Sequence, residues 1–207
     1  QYAEGDLFLG LVVPLTRSIA KANKNTPLSE IELLIQSKYH EARLCALLIL
    51  VEQFKKANEL QRGVLYDFYL NHIDYINNWD LVDISCPYIV GNYLLDKDRS
   101  HLYELAESKH LWSQRIAVVS TIAFIRKGEF LDTFALAGKL LNHEHDLMHK
   151  AIGWMLREVG KKDRAALTDF LERNASLMPR TSLRYAIEHY PETERKAFLS
   201  EKQIKYK

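Results

Sequence analysis

The 207-residue sequence is poor in several residue types, and each shortage excludes something. There are two cysteines, Cys45 and Cys86, set in the apolar strings Leu44-Cys45-Ala46-Leu47 and Ile84-Ser85-Cys86-Pro87. Neither lies in a CxxC or zinc-type spacing. They read as small buried thiols, with a disulfide or a reactive thiol as the alternative, and favour a reducing, cytoplasmic setting. Only 8 Gly and 5 Pro are present, too few for a turn-rich all-β chain. No apolar run reaches the roughly 18–20 residues that a membrane-spanning helix needs. A charged-then-apolar leader is also absent from the first residues. Charge of one sign is lacking too: 28 Lys and Arg stand against 27 Asp and Glu, for a net charge of +1. That total offers no global attraction to nucleic acid, so a nucleic-acid binder of this composition must sort its cations onto one face.

What the chain does have is 47% hydrophobic and 27% charged residues, the balance of a folded globular protein. Its apolar residues recur at helical spacing, as in Ile31, Leu34 and Ile35, or Leu44, Leu47 and Leu48. Ser29-Glu30-Ile31-Glu32 has the pattern of a capping box. Pro14 suits the first turn of a helix running to about Asn23. Further helices are expected near 29–37, 40–57, 59–71, 79–95, 99–108, 111–127, 130–142, 146–160, 163–175, 180–189 and 192–200. No segment alternates as a strand would, so the fold is expected to be all-α.

The helices repeat. Arg43, Trp79, Arg115, Lys150 and Arg184 stand in weakly similar strings at intervals of 36, 36, 35 and 34 residues, and each interval holds two helices. One such pair cannot bury its own apolar face, so successive pairs must stack. The expected architecture is an α-solenoid of HEAT-like antiparallel helix pairs, with the second helix of each pair lining a concave surface. No linker divides the chain, which reads as one domain over 1–207.

Polar groups fall where a core would be apolar. Trp79 and Asp83 are four apart on one helix face, Trp112 and Arg115 three apart, and Trp154 has Lys150 and Arg157 on its side. All three tryptophans therefore stand beside a charged residue, which favours a lined groove. Arg17, Lys21 and Lys24 share one side of the first helix. Arg43, Arg115, Lys150, Arg157, Arg180 and Arg184 recur along the repeat as a basic ladder suited to phosphates. His143, His145 and His149 lack the HExxH order, and no metal site is expected. Gly-rich phosphate loops, GxSxG elbows and Cys-His nucleophile patterns do not occur.

Four strings carry a resemblance. Phe8-Leu9-Gly10-Leu11-Val12-Val13-Pro14-Leu15-Thr16-Arg17, Asn78-Trp79-Asp80-Leu81-Val82-Asp83, Leu111-Trp112-Ser113-Gln114-Arg115-Ile116-Ala117 and Lys150-Ala151-Ile152-Gly153-Trp154-Met155-Leu156-Arg157-Glu158 resemble, in order, the DNA alkylation repair family of AlkD-like glycosylases. In that family a helical segment usually precedes the Phe-Leu-Gly string, so an N-terminal cap is expected to be missing or trimmed here.

The resemblance implies HEAT-like repeats around a concave cleft that binds duplex DNA. It also implies excision of cationic N3- and N7-alkylated purines such as 3-methyladenine and 7-methylguanine. By position it makes Trp79, Asp83 and Trp154 the catalytic cleft, Arg115 an arginine near the lesion backbone, Arg157 a further DNA contact, and Tyr2 an aromatic near the lesion. Arg17, Arg43, Lys150 and Arg184 complete the expected DNA-binding set. No lysine nucleophile is called for, so a glycosylase without lyase activity is expected, acting as a monomer with no cofactor. A non-catalytic HEAT-like module that binds DNA or protein is the rival reading.

Overall fold

The computed structural model describes residues 5–200, and within them the chain is all-α. Tyr2 lies outside the described residues. The sequence carries no linker, yet the helices gather into two compact units, Gln1–Lys97 and Asp98–Lys207. The division falls inside the charged string Asp96-Lys97-Asp98-Arg99.

The first unit contains α1 (Val13–Ala22), α2 (Leu28–Ile35), α3 (His40–Phe54), α4 (Glu59–Asn71) and α5 (Trp79–Ser85). Helix α3 is its hub and packs against α1, α2, α4 and α5. It can do so because it is apolar on nearly every side: Leu44, Leu47, Ile49, Leu50 and Phe54 are all buried. An extended strap, residues 7–12, precedes α1. It is joined to the start of α3 by the His40 amide, which donates to the Leu7 carbonyl at 2.8 Å.

The second unit contains α6 (Ser100–Glu107), α7 (Leu111–Ser120), α8 (Ile122–Ile125), α9 (Leu131–Lys139), α10 (Asp146–Lys162), α11 (Arg164–Asn174), α12 (Arg180–Ala186) and α13 (Glu192–Ser200). Here the solenoid rule is visible. Helices α7, α10 and α12 pack side by side as one layer, while α6, α9 and α11 each lie against a member of it. Every second helix of a pair thus falls in the same layer, as stacked pairs require.

Helix positions follow the hydrophobic periodicity, and the differences have local causes. The segment expected as 79–95 stops after Ser85, and Pro87–Gly91 forms a wider π-type turn. Pro87 has no N–H to continue the α ladder, and the Gly91 amide reaches back to the Cys86 carbonyl at 2.9 Å instead. The segment expected as 111–127 is broken at Thr121, whose hydroxyl donates to the Val118 carbonyl at 2.7 Å. Ser29 is not a cap: α2 begins one residue earlier, after Pro27, with no side-chain cap. Among the described residues a capping box forms at Asn58 and Gln61, where each side chain accepts from the other's backbone amide, at 2.9 and 3.0 Å. Cys86 is buried, whereas Cys45 is half-buried, and both are free thiols. No helix among the described residues is long and apolar enough to cross a membrane.

Candidate active site

In the first unit, the site rests on how α5 begins. Trp79 is its first residue, after Asn78 in extended conformation. Large indoles are normally covered, but Trp79 is 45% exposed, while Leu81 and Val82 behind it are fully buried. Asp83 lies one turn on, on the same face, and is partly exposed. Burial first, then the neighbouring Cys86 and Asp83, push the phenol of Tyr69 well up, with Asp83 bordering that apolar interior. The pair is an aromatic face and a carboxylate, side by side on a short helix anchored by its opposite side.

Asp80 is the acid that does not face outward. One of its oxygens accepts from the Leu81 amide at 2.8 Å and the other meets His40 Nε2 at 2.8 Å. The Phe-Leu-Gly string is likewise explained by a buried acid. Glu41 accepts from the amides of Leu9 at 2.9 Å, Gly10 at 2.8 Å and Leu11 at 3.2 Å. Burial works to raise the Glu41 pKa, but these donors and its own amide more than offset it, so the carboxyl sits below its ordinary value. Gly10 has φ of +80°, a conformation that brings consecutive amides to one point and that a β-carbon would strain.

In the second unit, Trp154 lies mid-way along α10 and lines a cavity of about 390 Å³ with Ile122, Ile125, Arg126, Glu158, Lys161 and Lys162. Three cations and one acid share this lining with the indole, and Lys161 is paired with Glu158 at 2.7 Å. Sequence reasoning missed Arg126, Lys161 and Lys162. Lys161 lies seven residues after Trp154 on α10, a spacing that marks it, whereas Arg126 arrives from the turn after α8 with no periodic signal. A roomier hollow of about 560 Å³ in the first unit lies between the α1–α2 connection, the end of α3 and α4, and no tryptophan lines it.

The basic ladder does not survive as a uniform row. Arg43 and Arg115 are each only 4% exposed, and both are engaged inside the protein. Arg43 donates to Asp6 at 2.5 Å and to the Ser37 carbonyl at 2.8 Å. Arg115 donates to the Leu147 carbonyl at 2.6 Å, tying α7 to the first turn of α10. Periodicity had placed both on the right helix, but their long side chains turn inward to satisfy backbone carbonyls. Lys150 and Arg157 stand nearer the surface, paired with Asp146 at 2.7 Å and with Glu188. Arg17 and Arg184 are exposed. The histidines serve the local backbone: His145 caps α10 by accepting from the Leu147 amide at 3.1 Å, and His149 reaches the His143 carbonyl.

Known proteins add the family. A family model described as DNA alkylation repair enzyme matches residues 2–190. No curated protein matches the chain. Among solved structures, an Enterococcus faecalis protein described as a predicted DNA alkylation repair enzyme is similar over 91% of this chain and 90% of its own, with a TM-score of 0.70 at 17% identity. At that identity the likeness speaks for the all-α fold alone. The family match spans nearly the whole chain and takes in the Trp79–Asp83 and Trp154 strings, so the chain belongs to the DNA alkylation repair enzyme family.

Proposed function

We propose that the protein is a DNA glycosylase that hydrolyses the N-glycosidic bond of N3- and N7-alkylated purines in duplex DNA. It would act as a cytoplasmic monomer, without lyase activity and without a cofactor. The observation that carries this reading is the exposed Trp79 with Asp83 one turn away on the same face. A scaffold helix gains nothing from leaving an indole in water beside a carboxylate.

The chemistry asks for these groups. An alkylated N3 or N7 makes the purine cationic, so it leaves with the bonding pair of the C1′–N bond as a neutral base and needs no strong acid. Positive charge then develops on the sugar, as in glycoside cleavage. Asp83 would stabilise that charge and accept a proton from the water whose oxygen bonds to C1′. In the first unit the face of Trp79 would hold the cationic nucleotide through its negative quadrupole, and in the second unit Trp154 offers a face of the same kind. In the second unit Arg126, Lys161 and Lys162 beside Trp154, with Lys150, Arg157 and Arg184, would meet phosphates, and in the first unit Arg17 would do so. Arg115 takes a positioning role, holding α7 against α10.

The test is release of 7-methylguanine from methylated duplex DNA by the wild-type protein and by Asp83→Asn. Release by the wild type and a loss of about a hundredfold or more in the variant are expected, the size typical of removing a group aimed at transition-state charge. No release by pure wild-type protein would overturn the reading in favour of a binding module. Equal rates would remove Asp83 from the mechanism.

A further inference from the structure

His40 opens α3 and is buried, with a carboxylate on each side. Its Nδ1 lies 3.1 Å from Asp6 Oδ2 and its Nε2 lies 2.8 Å from Asp80 Oδ2. A neutral imidazole has one N–H and one lone pair, so one of these contacts would set lone pair against lone pair. Only the imidazolium donates to both. Arg43 adds a second cation through Asp6, so two carboxylates and two cations close into a cluster without net charge.

The cluster converges on the start of α5. Asp6 accepts from Asn77 at 3.3 Å and from Asn78 at 3.2 Å, besides His40 and Arg43. Asn78 is a residue type suited to capping α5, yet its amide is turned to Asp6 and α5 has no side-chain cap of its own. The helix start is fixed from outside: Asn77 and Asn78 through Asp6, Asp80 through His40, with Trp79 between them. The groups facing the ring are Asp6 from just before the strap, Asp80 from α5, Arg43 through Asp6 from α3, and Phe8 of the strap, whose ring centroid is 5.0 Å away. Glu41, the next residue, is committed to the strap amides.

We propose that His40, as an imidazolium bridging Asp6 and Asp80, is a positioning residue for Trp79 and Asp83. It sets the N-terminal turn of α5, and with it the presentation of the indole and the register of the carboxylate. The catalytic consequence rests on the glycosylase reading; the clamp itself does not. Burial disfavours the charged ring, but the hydrogen bond and charge of Asp80, then those of Asp6, outweigh it and hold the His40 pKa above the ordinary histidine value. The clamp is therefore complete at and below the ordinary histidine pKa and is lost as pH rises through the raised one.

The test combines two readouts on the intact protein. Nitrogen NMR of labelled histidine should show the His40 ring titrating above the ordinary histidine value, with both nitrogens protonated below it, and the backbone amides of residues 78–83 should shift together as His40 titrates. In single-turnover release of 7-methylguanine, the wild-type rate should fall about tenfold across that titration while DNA affinity changes by no more than about twofold, as expected for misplaced rather than missing groups. His40→Gln should show the low rate with a flat pH profile. A ring that titrates at or below the ordinary histidine value, amides of 78–83 that ignore the His40 titration, or a wild-type pH profile in His40→Gln would overturn the proposal. If the wild type releases no alkylated base, the glycosylase reading falls, and the amide titration still decides the clamp on its own.

Discussion

Gly153 stands immediately before Trp154, in the string that marks the family, and its role is steric. A β-carbon built there would lie 2.5 Å from the Ser182 carbonyl oxygen, 2.5 Å from Tyr185 Cβ and 3.1 Å from Ser182 Cα. Two of those three atoms are backbone, so relief requires moving α12 away from α10 by most of an ångström. Overpacking of this kind costs about 1–3 kcal/mol, and backbone contact places it at the upper end. Replacing a helix glycine with alanine returns about 1 kcal/mol of propensity. Gly153→Ala should therefore destabilise by about 2 kcal/mol, a fall in Tm of about 4–8 °C for a chain of this size. Gly160, on the same helix, is the control. Its β-carbon would meet the Leu167 Cδ2 at 2.5 Å, the far end of a side chain that can rotate. Gly160→Ala should be neutral or stabilising by up to about 1 kcal/mol. Thermal and urea unfolding of the two variants decide the matter. If Gly153→Ala were as stable as wild type, the close approach of α10 and α12 would not be what that glycine serves.

Glu41→Gln keeps the shape but replaces an oxygen that accepts from the strap with an N–H, so the amides of Leu9, Gly10 and Leu11 should lose hydrogen-exchange protection by about 10–100-fold, the equivalent of one charged hydrogen bond of about 1.5–3 kcal/mol. Asp6→Asn leaves the buried Arg43 without its charge partner and should cost about 3–5 kcal/mol, measured by urea unfolding at neutral pH. Burial acts to raise the Asp6 pKa, but Asn78, Arg43 and His40 together lower it below the ordinary value. Its stabilisation is thus present above the ordinary carboxylate pKa and lost as pH falls through the lowered one, and Asp6→Asn should flatten that acid limb.

Helix positions were legible because burial periodicity survives in a single sequence: Glu59–Asn71 and Glu192–Ser200 match their expected bounds. Ser29-Glu30-Ile31-Glu32 misled because a capping pattern does not say where the first helical turn lies, and Pro27 already starts it. The repeat spacing set Trp79 and Lys150 within segments that are helices, α5 and α10. It could not give depth, since a helix face leaves a long side chain free to reach water or a neighbouring carbonyl, and Arg43 and Arg115 chose the latter. The Asp6–His40–Asp80 cluster left no trace in any local pattern, because its members are 34 and 40 residues apart.

The near-neutral composition now bears on how DNA would be held. Lys150 and Arg157 already face an acid, so a phosphate must displace a carboxylate to gain either of them. Exposed pairs are worth only about 0–1 kcal/mol, and phosphate can compete for them. Arg157 with Glu188, 51% exposed on the acid's side, is such a pair, as is Lys150 with Asp146. Arg43 with Asp6, 3% exposed, is not, and neither is Arg115 with its buried carbonyl. Arg157→Ala should therefore lower the slope of log affinity against log salt by about 0.9, one phosphate's worth, while Arg115→Ala leaves the slope unchanged and lowers stability instead. A reduced slope in Arg115→Ala with unchanged stability would show that its guanidinium leaves the Leu147 carbonyl for DNA, and would return it to the basic ladder.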